Sequence, residues 1–389
     1  MVNKFVRSGE NALPFFNSGT TINAVGNGIY EIVDIKGLTR DFKTKLDSLG
    51  IKYNEEKVNG LCEKMAKVLR WARYNTEVPG DGNVLSHSLG QYDLINKYGG
   101  NDLESMDLGI TKNDINVLLL SALFHDVGEI EKGDTTHDHK GASAEEEQKA
   151  GIAILSNVFE GDNLDRVLAA YNIDFDKSNK LHPLFKIYEK FSYINGAISA
   201  FNARGQESNK DQAIWLAHNV LKNQVMPLLS LYFVGRHQSV IDFITDYMET
   251  INKMASSIKD AGFKDPEGAE NDEKFQEALQ IAKSYKALFE INNMIEVKRN
   301  IGLTPGFKDY AKPIIIEYLP SLLGLLDNAD FIPMREYIAS IKRDMISIFS
   351  SFQFGDDDED DTTRDVELRP LYKLWSEKTA NTEAVNYIA

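Results

Sequence analysis

The chain of 389 residues has a single cysteine, Cys62, which excludes an internal disulfide and suits a reducing interior. It has no apolar run approaching the ~18 uninterrupted residues that a membrane helix needs, and the opening MVNKFVRSGENALPFF lacks the apolar stretch of a secretory signal. The expectation is a soluble, cytoplasmic protein with no membrane partner. Positive charge is in short supply as well, with 43 basic against 59 acidic residues and a net charge of −16. A long-range attraction to a nucleic-acid polymer is thereby excluded, whereas a small nucleotide held by a few local cations and a metal ion remains compatible. The length allows two domains, or one with a large appendage.

What the chain does have is concentrated in Thr111 to Thr136, TKNDINVLLLSALFHDVGEIEKGDTT. Thr111 and Asp114 have the spacing of a capping box, and the run from Val117 to Phe124 predicts a helix buried on most of its circumference. That helix ends in His125-Asp126, which sets an imidazole and a carboxylate side by side, a pairing that suits a borderline or hard metal ion. Glu129 follows at a spacing that, on one continuous helix, places it a turn further along the same face. Gly133 can close the helix in the left-handed conformation, leaving Asp134 at the rim. A lone His-Asp pair is common and by itself says little.

The remaining segments set this stretch in context. Thr20 to Lys36 is β-branched and aromatic, and Asn27-Gly28 offers the turn of a hairpin. From Glu55 an apolar stripe runs through Val58, Leu61, Cys62, Met65, Val68, Leu69 and Ala72 at helical spacing, and Arg70 and Trp71 fall off it. An indole off the buried face packs on a neighbouring segment or walls a pocket. The loop Asn75 to Gly82 leads to a helix near whose start His87 stands, either satisfied by water or ligating. His137-Asp138-His139 reads as a solvated loop or as ligands to a second ion. Past Gly205 no catalytic pattern occurs: Ala213 to Ile258 is helical with a break at Met226-Pro227, Gly262 to Asp272 is a linker, and helices follow near Glu273–Arg299, Pro313–Leu326 and Ile332–Phe352. Gly355 to Asp365 is an acidic tract without the glycine and distal glutamate of a calcium loop, so a solvated segment is expected there. The tail from Val366 adds one helix.

Taken together, Arg70-Trp71, Asn83-Val84-Leu85-Ser86-His87-Ser88, His125-Asp126, Glu129 and Gly133-Asp134 resemble the HD-domain metal-dependent phosphohydrolases, and within them the 5'-deoxynucleotidase branch. The resemblance spans roughly Arg70 to Ala200. It implies an all-α fold: an N-terminal segment (1–50) with the hairpin, an HD core (51–205) and extra C-terminal helices (206–389) that include the acidic loop 355–365. It further implies one divalent ion (Mn, Co, Zn, Fe or Mg) held by His87, His125, Asp126 and a carboxylate on a later helix, where Glu189 occupies the place of the family's aspartate. In these enzymes a residue placed like Glu129 orients or deprotonates the attacking water, and one placed like Asp134 protonates the leaving 5'-oxygen. The residue matching Arg70 meets the phosphate, that matching Trp71 crowds the sugar 2' position, and Lys132 is a further candidate for the substrate. The family usually has an acidic residue just before the first histidine; Ser86 stands there, so a carboxylate partner for His87 is expected to be lost. The activity implied is removal of the 5'-phosphate from deoxynucleoside monophosphates. The alternatives are release of triphosphate or pyrophosphate from deoxynucleoside triphosphates, with Lys132 and Lys140 on the longer chain, or a nucleotide-binding or assembly protein with little turnover. A homodimer stays open.

Overall fold

A computed structural model describes residues 4–7, 20–26, 29–71, 74, 78–104, 109–132, 144–203, 210–225, 228, 231, 237–262, 264, 287–325, 332–352 and 367–380. Among the described residues the fold is helical apart from a small antiparallel sheet at the N-terminus. Its strands are β1 (Lys4–Arg7), β2 (Thr20–Gly26) and β3 (Ile29–Asp34), in the order β1-β3-β2. β2 and β3 form the pair expected between Thr20 and Lys36, with a register shift between Ala24 and Gly26, while Asn27 and Gly28 lie outside the described residues. β1 has no counterpart in the sequence reading, since four residues are too few for an alternation to register.

The chain divides into two compact units, residues 1–228 with 236–268, and residues 229–235 with 269–389. In the first, α1 (Ile35–Ser48), α2 (Glu55–Met65), α3 (Val84–Tyr98) and α4 (Lys112–Phe124) each start on a side-chain cap. Asp34 accepts from Gly37, and Asn54 accepts from Glu56 and Lys57. Asn83 with Ser86, and Thr111 with Asp114, make full capping boxes. These caps satisfy amides that the first helical turn leaves without partners. The unit continues through α5 (Glu129–Lys132), α6 (Ala144–Val158), α7 (Gly161–Tyr171), α8 (His182–Ala203), α9 (Lys210–Val220) and α10 (Gln238–Asp260).

The structure corrects two expected helices. The apolar stripe from Val58 to Ala72 does not stay helical, because α2 ends at Met65 and the chain from Val68 pairs instead with the approach to α3. Arg70 N donates to Gly82 O at 3.0 Å and Val84 N to Val68 O at 3.0 Å, so Arg70 and Trp71 stand on one arm of a short ribbon. Nor does the central helix run through to Gly133, which lies outside the described residues. It stops at Phe124, turns over residues 125–128 and resumes as α5. At that turn Gly128 sits so close to the main-chain carbonyl of Glu147 on α6 that a Cβ would not fit.

Phe124 anchors the end of α4 in the core, edge-on to Phe42 at 5.7 Å and to Phe159 at 5.4 Å. α8 is held against α10 by the stacked rings of Phe191 and Phe243, 4.0 Å apart. Buried Asp102 accepts from Ser239 N, Ser239 Oγ and Tyr188 Oη, which ties the start of α10 to α8.

In the second unit lie α11 (residues 287–301), α12 (Pro305–Leu325), α13 (Ile332–Ser351) and α14 (Arg369–Thr379). α12 starts at Pro305, ahead of the expected Pro313, because Thr304 Oγ1 accepts from Phe307 N and proline suits the first helical position. Lys298 and Asp344 join α11 to α13 at 2.7 Å, and Phe349 meets Tyr372 of α14 at 5.3 Å. The break expected at Met226-Pro227, most of the 262–272 linker and the acidic loop 355–365 fall outside the described residues. Among the described residues no helix is long and apolar enough to cross a membrane.

Candidate metal centre

Three elements meet at one point: the start of α3 brings His87, the end of α4 brings His125 and Asp126, and α8 backs both rings. Phe185 lies edge-on to His125 at 5.6 Å and Tyr193 tilts against His87 at 6.2 Å. His87 and His125 are 1% exposed and Asp126 8%. One potential ligand atom from each of the three lies within 4.8 Å of the others.

The geometry of the rings decides which nitrogen is offered. His125 Nδ1 lies 2.9 Å from Ala122 O, a carbonyl that can only accept, so Nδ1 carries the proton. His87 Nδ1 lies 2.7 Å from Asp81 Oδ1, with the same consequence for an ionised carboxylate. In the neutral rings Nε2 is then the nitrogen with the lone pair, at 3.1 Å (His125) and 3.6 Å (His87) from Asp126 Oδ2, and neither Nε2 finds a hydrogen-bond partner although both are buried. Two bare imidazole nitrogens and a carboxylate are the donor set of a borderline divalent ion, and each ring is held at its far nitrogen in the way that metal-ligating histidines commonly are. The residues present fit such an ion.

Burial would push the Asp126 carboxyl up, but His125 and Arg70 outweigh it and hold the group well below the usual carboxylate range. Burial likewise pulls the His125 imidazole down, and the Asp126 charge, with smaller contributions from Glu189 and Asp174, more than reverses this. Arg70 is 5% exposed and lies across the carboxylates, with Nη1 at 2.6 Å from Asp126 Oδ2 and at 3.3 and 3.4 Å from the two oxygens of Glu129. Its guanidinium also stands over the rings of Trp71 (5.9 Å) and Tyr193 (5.8 Å). Asp126, Glu129 and Glu147 of α6 form a second convergent group beside the first. Glu129 thus reaches the site after all, carried there by the turn and α5 rather than by a continuous α4.

The structure does not bring Glu189 into the convergent group: its carboxylate pairs with Lys186 at 2.8 Å, and the same ammonium reaches Asp174 at 2.5 Å. Lys186 sits three residues before Glu189 on α8, the spacing at which helical side chains meet. Lys132 is exposed at the end of α5. Asp134, His137, His139 and Lys140 lie outside the described residues.

The sequence reading missed Asp81. Ser86 does leave the place before His87 without an acid, and its hydroxyl serves the α3 cap instead. The carboxylate that fixes His87 comes from the loop, and Asp81 also accepts from Trp71 Nε1 at both Oδ2 and its main-chain oxygen, 3.0 Å each. An aspartate between two glycines, Gly80-Asp81-Gly82, shortly before a candidate ligand was the only available signal.

Residues 84–207 match the family model described as HD domain. The matched segment runs from the first residue of α3 to beyond α8, and so contains His87, His125, Asp126, Glu129 and Glu189. It supports a place in the HD-domain phosphohydrolase superfamily and, with it, metal-dependent phosphohydrolase activity. Arg70, Trp71 and Asp81 lie ahead of it. No curated protein and no solved structure matches the chain.

Proposed function

We propose that this protein removes the 5'-phosphate from deoxynucleoside monophosphates. The observation that carries the reading is the convergence of His87 Nε2, His125 Nε2 and Asp126 Oδ2 in a buried site, with Glu129 and Arg70 alongside. His87, His125 and Asp126 would hold one divalent ion, which supplies Lewis-acid charge at the phosphate and makes water a competent nucleophile near neutral pH.

The chain's own residues have separable tasks in the reaction. Water attacks phosphorus and the P–O5' bond breaks, giving inorganic phosphate and the deoxynucleoside. Glu129 orients that water and takes its proton at a carboxylate oxygen. Asp134, on the resemblance, returns a proton to the leaving 5'-oxygen. Arg70 offers a planar, permanently charged fork to the phosphate oxygens. Trp71, 7% exposed and edge-on to Tyr193 at 5.6 Å, stands beside Arg70, and on the resemblance it would crowd the sugar 2' position and exclude a hydroxyl there.

The test is a substrate panel on the full-length chain, stripped with a chelator and resupplied in turn with Mn²⁺, Co²⁺, Mg²⁺ and Zn²⁺. Phosphate is expected from deoxynucleoside monophosphates only when an ion is restored, with ribonucleotides turned over more slowly. Triphosphate or pyrophosphate from deoxynucleoside triphosphates would reassign the substrate. No release with any ion would contradict the reading.

A further inference from the structure

We infer that Asp81 couples His87, a proposed ligand, to the indole of Trp71, so that ion binding and placement of the indole are one equilibrium. The inference rests on the proposed metal site and adds to it a positioning residue whose two sides face different tasks.

Asp81 is 7% exposed, and both of its carboxylate oxygens are engaged. Oδ1 accepts from His87 Nδ1 at 2.7 Å, which holds the tautomer that aims Nε2 at the ion site. Oδ2 accepts from Trp71 Nε1 at 3.0 Å, and the main-chain oxygen of Asp81 accepts from the same N–H at 3.0 Å. The two oxygens of a carboxylate move as one body. A displacement of the indole therefore rotates the group on which the His87 ring hangs.

Trp71 is itself held under strain. Its φ is 65°, and it is the one non-glycine residue with positive φ among the described residues. A bulky side chain in the left-handed region is strained and persists only where its surroundings impose it. Here those surroundings are the ribbon bond from Arg70 N to Gly82 O, the bond from Tyr74 N to Trp71 O at 2.9 Å, and the fork on Asp81. Gly196 of α8 closes the far side, where an added Cβ would lie 2.6 Å from Asp81 Oδ2 and 2.8 Å from Trp71 Cζ2. The indole and the carboxylate are thus wedged together between the ribbon and α8.

A cation on His87 Nε2 polarises the ring and strengthens the Nδ1–H bond to Asp81, which tightens the same carboxylate that fixes Trp71. By linkage, whatever fixes Trp71 must favour the ion by the same factor. A substrate sugar pressed on the indole and an ion on the histidine then support each other through one side chain.

A double-mutant cycle with Mn²⁺ alone tests this, by calorimetric titration of the stripped full-length chain as wild type, Asp81→Asn, Trp71→Phe and both together, with circular dichroism as the check on folding. Asp81→Asn is expected to weaken Mn²⁺ about 10- to 100-fold. Trp71→Phe keeps an aromatic ring but removes the N–H, and should weaken Mn²⁺ about 5-fold or more in the wild-type background and add nothing in the Asp81→Asn background. An equal factor in both backgrounds, or none in either, overturns the coupling. A second reading avoids any change at Trp71: saturating Zn²⁺ should alter tryptophan emission in the wild type and leave it unaltered in Asp81→Asn. The same change in both proteins overturns the coupling as well. Wild-type protein that binds neither ion would remove the metal site itself and the coupling with it, an outcome distinct from tight binding without coupling.

Discussion

His87 and His125 are aimed by what holds their far nitrogens, a carboxylate in one case and a helix carbonyl in the other. This separates residues that hold an ion from residues that work beside it. Glu129→Ala is expected to keep the ion and the fold while losing at least ~10²-fold in turnover, the usual scale for a general base. Glu189→Ala should also keep the ion, because Lys186 already engages that carboxylate; elemental analysis of both variants checks the pair, and an ion-free Glu189→Ala would make Glu189 a ligand. At this scale the sequence was readable where helix geometry dictates position. His125 and Asp126 are neighbours in the chain, and His87 lies in the turn that Asn83 caps. It was not readable where a loop decides. Asp81 acts through a ring six residues on in a segment without periodicity, and Glu189 pairs with Lys186 one turn before it, a pairing that spacing alone does not announce.

The helices show the same division. The box at the head of α4 was visible as Thr111 and Asp114, and Asp114 now also receives Lys180 Nζ at 2.9 Å. Burial pushes the Asp114 carboxyl up, but the donors on Lys180 and Thr111 outweigh it and hold it below its ordinary value. A carboxylate depressed in the folded state stabilises above its unfolded pKa of ~3.9, and that stability is lost as pH falls through the folded value. Thr111→Ala should cost about 1 kcal/mol. The penalty of Asp114→Asn should be full near neutral pH and vanish in strong acid; thermal unfolding across pH checks both, and a penalty independent of pH would contradict the ionised box. The ends of α2 and α4 were less legible. Val68 and Leu69 keep the helical period, yet the partner that draws Val68 into a ribbon is Val84, too far along the chain for a local pattern to show. The turn after Phe124 answers to α6 pressing on Gly128, a tertiary contact.

Across the whole molecule, the helical class follows from long stretches with period near 3.6 and from the confinement of β-branched alternation to the first residues. The match to the HD domain ends at residue 207, and the helices of the second unit lie beyond it. The central claim is that the first unit holds one ion on His87, His125 and Asp126. Elemental analysis of the purified full-length chain, beside His87→Ala and His125→Ala variants shown to be folded, tests it most directly. The account predicts close to one divalent transition ion per wild-type chain and loss of that ion from both variants. Folded variants that keep the ion, or a wild-type chain that takes up none when Mn²⁺, Co²⁺ or Zn²⁺ is supplied, would contradict it.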